Sequence, residues 1–357
     1  MSWAEPNYSK SVVNKAGDFF RKEGTMSEEN ALKVFDNWRA AHSYPMQIFY
    51  VRLRRTSKAV DNNSLVARRL KRASSVIAKL NRRYDGRPPT MQLSQMQDIG
   101  GVRAILSNVA LVQKLTLEKY EKSSMKHKLV KKDDYIVKPK SDGYRSIHLI
   151  YSYKSDKANK QKYDGLLVEV QIRSKLQHLW ATAVETVGFF TRQAIKSNEG
   201  SPEWADFFRL VGSAFAKIEN CPPVPNTPTD IQELYGLIAQ KEKELNVINK
   251  VRQWASTVKI FEEPSSRRGA QFFLLELNIK DEELRIVRYA KHEEEMALSD
   301  YANLEKKYSG NKDYDVVLTG VDKALDLKKA YPNYYVDVDE FAQKIEDIIK
   351  KNHESDT

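Results

Sequence analysis

The segment Leu166-Leu-Val-Glu-Val-Gln-Ile-Arg173 alternates apolar and polar side chains. At a period of two this is a strand, with Val168, Val170 and Ile172 on one face and Glu169 and Gln171 on the other. The apolar face requires a covering layer. The opposite face carries a carboxylate that needs a cation or a metal beside it. Val102 to Leu106 reads as a second, buried strand, entered through Asp98-Ile-Gly-Gly101. Paired glycines at a strand mouth let a ligand approach the backbone, which makes Asp98 a candidate for a metal or phosphate site.

Between these strands, Asp133 to His148 reads as a nucleotide-gripping loop on a sheet edge. Asp142-Gly143 is a turn signal, and Ser146 to Tyr153 is strand-like. Lys138, Lys140, Tyr144, Arg145 and His148 fall within eleven residues. They offer cations for phosphates, an aromatic face for a base and a hydrogen-bonding imidazole. Upstream, Arg52 to Arg87 reads as helical with a break near Asp61-Asn62-Asn63, because Val66, Leu70, Ile77 and Leu80 lie near helical spacing. The segment is crowded with cations, Arg52, Arg54, Arg55, Arg69, Lys71 and Lys79 among them, and holds no acid from Val66 to Tyr84. A solvated face usually mixes signs, so this one suggests a polyanion partner.

Cys221-Pro-Pro-Val-Pro-Asn-Thr-Pro-Thr229 has four prolines in nine residues and reads as a stiff spacer. The predicted division is residues 1–220, a linker at 221–229, and residues 230–357. Charge divides the same way: 39 Lys/Arg against 22 Asp/Glu before Asp230, and 20 against 26 from there on. A basic part and an acidic part suggest a polyanion-binding surface and something that opposes it. Beyond the linker the pattern predicts a long helix from Asp230 to about Lys259, strands at Gln271–Asn278, Leu284–Tyr289 and Tyr314–Leu318, and a last helix from Asp339. The lone Cys221 excludes a disulfide framework or a cysteine zinc cluster. With no apolar run of membrane length and no signal-like N-terminus, a cytoplasmic setting is expected; residues 1–25 read as a docking arm.

Transfer of a phosphoryl-type group to a hydroxyl needs a divalent ion on carboxylates, cations along the phosphate chain and a surface for the acceptor base. Asp98 and Glu169, the basic segment and Tyr144 supply these. The same residues carry a resemblance. Arg69-Leu-Lys71 with Ser75 and Lys79, Asp98-Ile-Gly-Gly-Val-Arg103, Asp134-Tyr-Ile with Pro139-Lys140, Gly143-Tyr144-Arg-Ser-Ile-His148, and Glu169-Val-Gln171-Ile-Arg173 with His178 and Trp180 stand in order over roughly residues 60–200. In these motifs the chain resembles RelA/SpoT-type nucleotide pyrophosphokinases; through Tyr331-Pro-Asn-Tyr334 its second domain resembles the C-terminal half of the fused toxin–antitoxin (CapRel-like) small alarmone synthetases.

The resemblance implies an α+β fold. An N-terminal mixed β-sheet flanked by helices forms a nucleotidyltransferase-like synthetase domain, and a smaller C-terminal α+β regulatory domain has a pseudo-zinc-finger-like shape. It implies an enzyme that moves the β,γ-pyrophosphate of ATP to a ribose 3′-hydroxyl. Mg²⁺ would sit on Asp98 and Glu169, and Glu169 would also help deprotonate the hydroxyl. Arg69 and Arg103 would sandwich adenine, Lys71, Ser75, Lys79 and Lys140 would hold phosphates, Tyr144 would stack on the acceptor base, and His148 and Gln171 would support them. Arg52, Arg54 and Arg55 are expected at the acceptor. His178 and Trp180 are expected to pack rather than to bind.

The expected acceptor is the 3′-terminal adenosine of tRNA, as in the toxic members. None of the six histidines precedes an aspartate, so the hydrolase half of long members is missing, and the basic charge exceeds what a mononucleotide requires. Tyr331-Pro-Asn-Tyr334 resembles the motif by which the antitoxin half of such fusions occludes the nucleotide site until a phage protein, typically capsid, releases it. Tyr331 and Tyr334 are therefore expected to be autoinhibitory, in a monomer. The alternative is a monofunctional (p)ppGpp synthetase acting on GDP or GTP, and a third reading is a non-enzymatic RNA-binding module.

Overall fold

Among the described residues nine strands form one mixed sheet in the order β3-β4-β5-β2-β1-β9-β7-β8-β6. In chain order they are β1 (Leu65–Leu70), β2 (Gly100–Leu106), β3 (Lys128–Asp134), β4 (Ile147–Ser152), β5 (Leu167–Ser174), β6 (Lys259–Glu262), β7 (Ala270–Asn278), β8 (Glu283–Ala290) and β9 (Tyr314–Val321). The structure is a computed structural model that describes residues 3–83, 86–191, 202–262, 270–311, 313–321, 324–332, 334–335 and 338–354.

The mixed sheet flanked by helices is as expected. The expected zinc-finger-like C-terminal shape is not found. The strands after residue 230 instead extend the sheet, where β9 pairs antiparallel with β1 from Ala67↔Val321 to Arg69↔Thr319. Among the described residues no group of three or more His, Cys, Asp or Glu is placed to hold a metal ion.

A second difference is β1 itself, read from the sequence as helix. The period of two in Leu65–Leu70 is disguised because a buried position is filled by Arg68. Its guanidinium lies 4.9 Å from the ring centre of Tyr50 and 4.5 Å from that of Phe272, and these aromatic faces compensate the buried charge. The helix begins only at Ala73 and ends at Leu80. Further on, the single long helix expected after Asp230 is two, Ile231–Leu245 and Val247–Thr257. They are separated at Asn246, whose φ of 52° is left-handed.

Strand alternation sorts the side chains. Val66, Leu70, Val102, Ala104, Leu149, Val168, Val170 and Ile172 join one core cluster with Met46, Phe49 and Leu53 of the Ser43–Val60 helix. The in-between positions Arg69, Gly101, Arg103, Glu169, Gln171 and His148 therefore share the opposite face. The β5 strand ends at Ser174, whose hydroxyl accepts from the Gln177 N–H while the Gln177 amide oxygen accepts from the Ser174 N–H. This capping box starts the Lys175–Phe190 helix. That helix joins Pro202–Ile218, the two helices after Asp230 and Asp339–Glu354 around a second core.

Candidate active site

Glu169 sits on β5 directly beside Gly101 of β2, and Gly101 sits beside Arg69 of β1. Asp98 lies just before β2. The Lys71 N–H donates to the Ile99 carbonyl at 2.8 Å, which places the Lys71 side chain beside Asp98. Lys71 Nζ is 3.0 Å from Asp98 Oδ2, and Lys79 Nζ is 2.9 Å from Oδ1. Burial would raise the Asp98 pKa, but the two ammoniums outweigh it and hold the carboxyl below its ordinary range. Burial pulls Lys71 down, only partly offset by Asp98.

Glu169 is held differently. His148 Nδ1 is 2.8 Å from Oε1, and the Gln171 amide donates to Oε2 at 2.7 Å. Burial and Asp98 both push the Glu169 carboxyl up, and His148 with Gln171 overcomes them. Asp98 stands two residues before Gly100, and Gly101 is paired with Glu169, so both carboxylates lie at the same end of neighbouring strands. On its far side the His148 ring meets the Tyr144 hydroxyl at 2.8 Å. Burial would lower His148, but Tyr144 and Glu169 push it up to about 9. The Tyr144 phenol is drawn down by His148 and Arg173 against its burial.

The turn before Tyr144 explains its position. Asp142 Oδ1 accepts from the Tyr144 N–H at 2.8 Å, and Gly143 has φ +98°. A Cβ at Gly143 would stand 2.9 Å from the Trp180 ring and 3.1 Å from the Phe208 carbonyl, so glycine is required twice over. Trp180 donates its indole N–H to that carbonyl at 2.8 Å, a packing role as expected. Lys140 Nζ lies 5.2 Å from the Tyr144 ring centre and 4.6 Å from that of Tyr135. Tyr135 also meets the His148 ring edge-on at 5.3 Å. Tyr135, the tyrosine of Asp134-Tyr-Ile, is an aromatic of the site with no expected role; its sequence signal is an aromatic three residues before Lys138.

Arg69 and Arg103 are diagonal neighbours on β1 and β2, and Arg103 donates to the Gln171 amide oxygen at 3.3 Å. Burial opposes the Arg69 charge, but Glu185, Tyr331 and Tyr334 more than restore it. Arg173 is buried, and burial with the nearby Arg103 lowers it to about 9. Its guanidinium bonds His178 Nδ1, and His178 Nε2 in turn meets the Lys329 carbonyl at 3.0 Å. Ser75 lies in the first turn of the Ala73–Leu80 helix, the helix that also carries Lys79.

Three of the expected residues do not arrive here. Arg52, Arg54 and Arg55 belong to the Ser43–Val60 helix, which covers the opposite face of the sheet. Arg52 is used there, donating to the Lys119 carbonyl at 2.9 Å and to Ser123 Oγ at 2.8 Å. Tyr331 and Tyr334 do lie near Arg69, buried in a cluster with Ala67, Phe273, Leu275 and Val317. The Tyr334 hydroxyl donates to Asp315 at 2.7 Å, and that of Tyr331 to the Arg68 carbonyl at 3.4 Å.

Residues 68–189 match the region found in RelA / SpoT proteins, and this segment is homologous to RelA/SpoT-family alarmone synthetases. The GTP pyrophosphokinase YjbM of Bacillus subtilis (strain 168) is 30% identical over 127 residues, 35% of this chain and 56% of that protein. The GTP pyrophosphokinase YwaC of the same organism is 32% identical over 116 residues, 32% of this chain and 52% of that one. The chain thus spans about half the length of the curated relatives it matches. Among solved structures, small alarmone synthetase 1 from Bacillus subtilis bound to its product pppGpp is similar at 23% identity and TM-score 0.41, covering 50% of this chain and 88% of that one.

These relatives correct the expected acceptor and partners. Both curated proteins are named for guanine-nucleotide pyrophosphorylation, and this overturns the tRNA acceptor, the toxin activity and the release by a phage capsid protein. The charge argument behind the tRNA reading fails in part for a geometric reason, since Arg52, Arg54 and Arg55 sit across the sheet from the carboxylates. Among the described residues no helix is long and apolar enough to cross a membrane.

Proposed function

We propose that the chain is an ATP-dependent pyrophosphokinase that transfers the β,γ-pyrophosphate of ATP to the 3′-hydroxyl of GDP or GTP, with residues 1–220 as the unit that carries the chemistry. The observation that carries this reading is the placement of Asp98, just before β2, and Glu169, beside Gly101 on β5, one flanked by lysines and the other by an imidazole. The named activity of the relatives supports the choice of acceptor.

In this reading Arg69 and Arg103 hold adenine between guanidinium planes. Lys71, Ser75, Lys79 and Lys140 hold phosphate oxygens, and Tyr144 presents its ring to the guanine. Two carboxylates fit Mg²⁺, which takes one or two protein oxygens and fills its shell with phosphate and water. Asp98 and Glu169 would hold it, and it would supply neutralisation of the phosphate charge. Lys71 and Lys79 occupy Asp98 until phosphate oxygens attract them. The 3′-oxygen attacks the β-phosphorus, the bond from that phosphorus to the bridging oxygen breaks, and AMP leaves with that oxygen. The hydroxyl proton passes to Glu169, which Gln171 and His148 keep ionised and oriented.

The test is incubation with ATP labelled in the β-phosphate and GDP, GTP or tRNA as acceptor. Label is expected on GDP or GTP, with AMP released in equal amount. Label on tRNA alone, or no AMP with any acceptor, would overturn the reading.

A further inference from the structure

A cavity of about 760 Å³ opens beside the carboxylates, and Lys79 belongs to both. Part of its floor is the same sheet face: Lys128 of β3, Ser152 of β4 and Leu167 of β5 lie in one register row, and Leu167 is two residues before Glu169. Among the described residues four cations line it, Lys10 from the Lys10–Phe20 helix, Lys79 and Arg82 from the end of the Ala73–Leu80 helix and just beyond, and Lys128 from β3, and no aspartate or glutamate does. Like charges gathered around one concavity repel unless an anion joins them, and a cleft of one sign concentrates counter-charge. Its volume is that of a site for a whole small molecule, far more than one phosphate requires. Met91 and Leu167 add apolar wall.

We propose that this cavity seats the 5′-polyphosphate of the acceptor nucleotide, with Lys10, Arg82 and Lys128 on its phosphate oxygens. The proposal rests on the pyrophosphokinase reading and adds the residues that distinguish a nucleoside di- or triphosphate from a nucleoside. Proximity to the reacting centre selects the acceptor over a second, non-reacting nucleotide: Lys79, which lines the cavity, stands 2.9 Å from Asp98. The site also explains why cations outside the motif residues converge here, on the carboxylate face.

The experiment compares the full chain with the Lys10→Met/Lys128→Met double variant. Both side chains are exposed, and thermal unfolding of the variant checks its fold. Steady-state transfer is measured with GTP, GDP and guanosine as acceptors and with ATP varied. The expected result is a rise of about tenfold in KM for GTP, equivalent to about 1.4 kcal/mol, with KM for ATP and transfer to guanosine changed less than about twofold. A rise in KM for ATP with none for GTP would overturn the assignment. So would an unchanged KM for GTP with altered kcat, the signature of a separate effector nucleotide. Equilibrium binding of GDP and of inorganic triphosphate without ATP gives a readout independent of catalysis. Binding weakened by the double variant, in a chain that transfers nothing, would sink the enzymatic reading and keep the anion site. Equal binding by both chains would sink the site.

Discussion

Asp98 and Glu169 carry the same charge at neighbouring strands, yet they are held in unlike ways. Asp98 is gripped by two flexible ammoniums from one short segment. Glu169 is gripped by a ring and an amide that lie on strands, with a phenol behind the ring. The lysine end can rearrange when phosphate arrives. The imidazole end is fixed in place and answers instead to protons. In the proposed reaction the site divides charge compensation from proton handling by the kind of side chain that faces each carboxylate.

The strongest way to break this comparison is Glu169→Gln. It keeps size and hydrogen bonding but removes the base, and kcat should fall by about 10²–10⁴-fold. A variant with more than about a tenth of the parent kcat would take the imidazole end out of the chemistry. Next is Glu305→Ala, which acts on the lysine end from a distance. Glu305 accepts from the Ala73 N–H at 2.7 Å, at the start of the helix that carries Ser75 and Lys79, and pairs with the buried Arg39 at 2.8 Å. Its loss should cost about 3 kcal/mol in urea unfolding, since the buried Arg39 loses its nearest carboxylate and keeps Asp36 only at 3.8 Å. An unchanged midpoint would show that β1 and its helix do not depend on the segment around residue 305.

The smallest effect is expected from Tyr144→Phe. Tyr144 helps to raise His148, so its removal should lower that pKa from about 9. A raised histidine adds stability that is fully present below its unfolded value and is lost as pH rises through the folded one. The alkaline loss of stability should therefore be smaller and be complete at lower pH in the variant, by up to about one unit, read from unfolding midpoints between about pH 6 and about pH 10. A shift in the opposite direction would contradict the bond between phenol and ring.

Much of the site was legible because its residues obey local rules. The alternation at 166–173 placed Glu169 and Gln171 on one face, the Asp-Gly pair marked the turn before Tyr144, and Asp98 stood at a strand mouth. What was hidden depends on distant partners. Leu65–Leu70 looked helical because Arg68 takes an apolar position, and the rings of Tyr50 and Phe272, distant in sequence, help to make that tolerable. The cations of the Ser43–Val60 helix looked like part of the site because charge does not reveal which side of a sheet a helix will cover. The Lys-rich stretch before the turn concealed β3, an edge strand whose exposed lysines discourage pairing with another chain. The pairing of β9 with β1 joins residues some 250 positions apart, and no local pattern announces it.

That last pairing has a consequence for synthesis. The edge of β1 that faces β9 stays open until residues 314–321 have left the ribosome. A nascent chain therefore holds the Arg69 strand half-bordered through most of its translation. The motif residues all emerge early, but their sheet is closed on that side only by one of the last strands made.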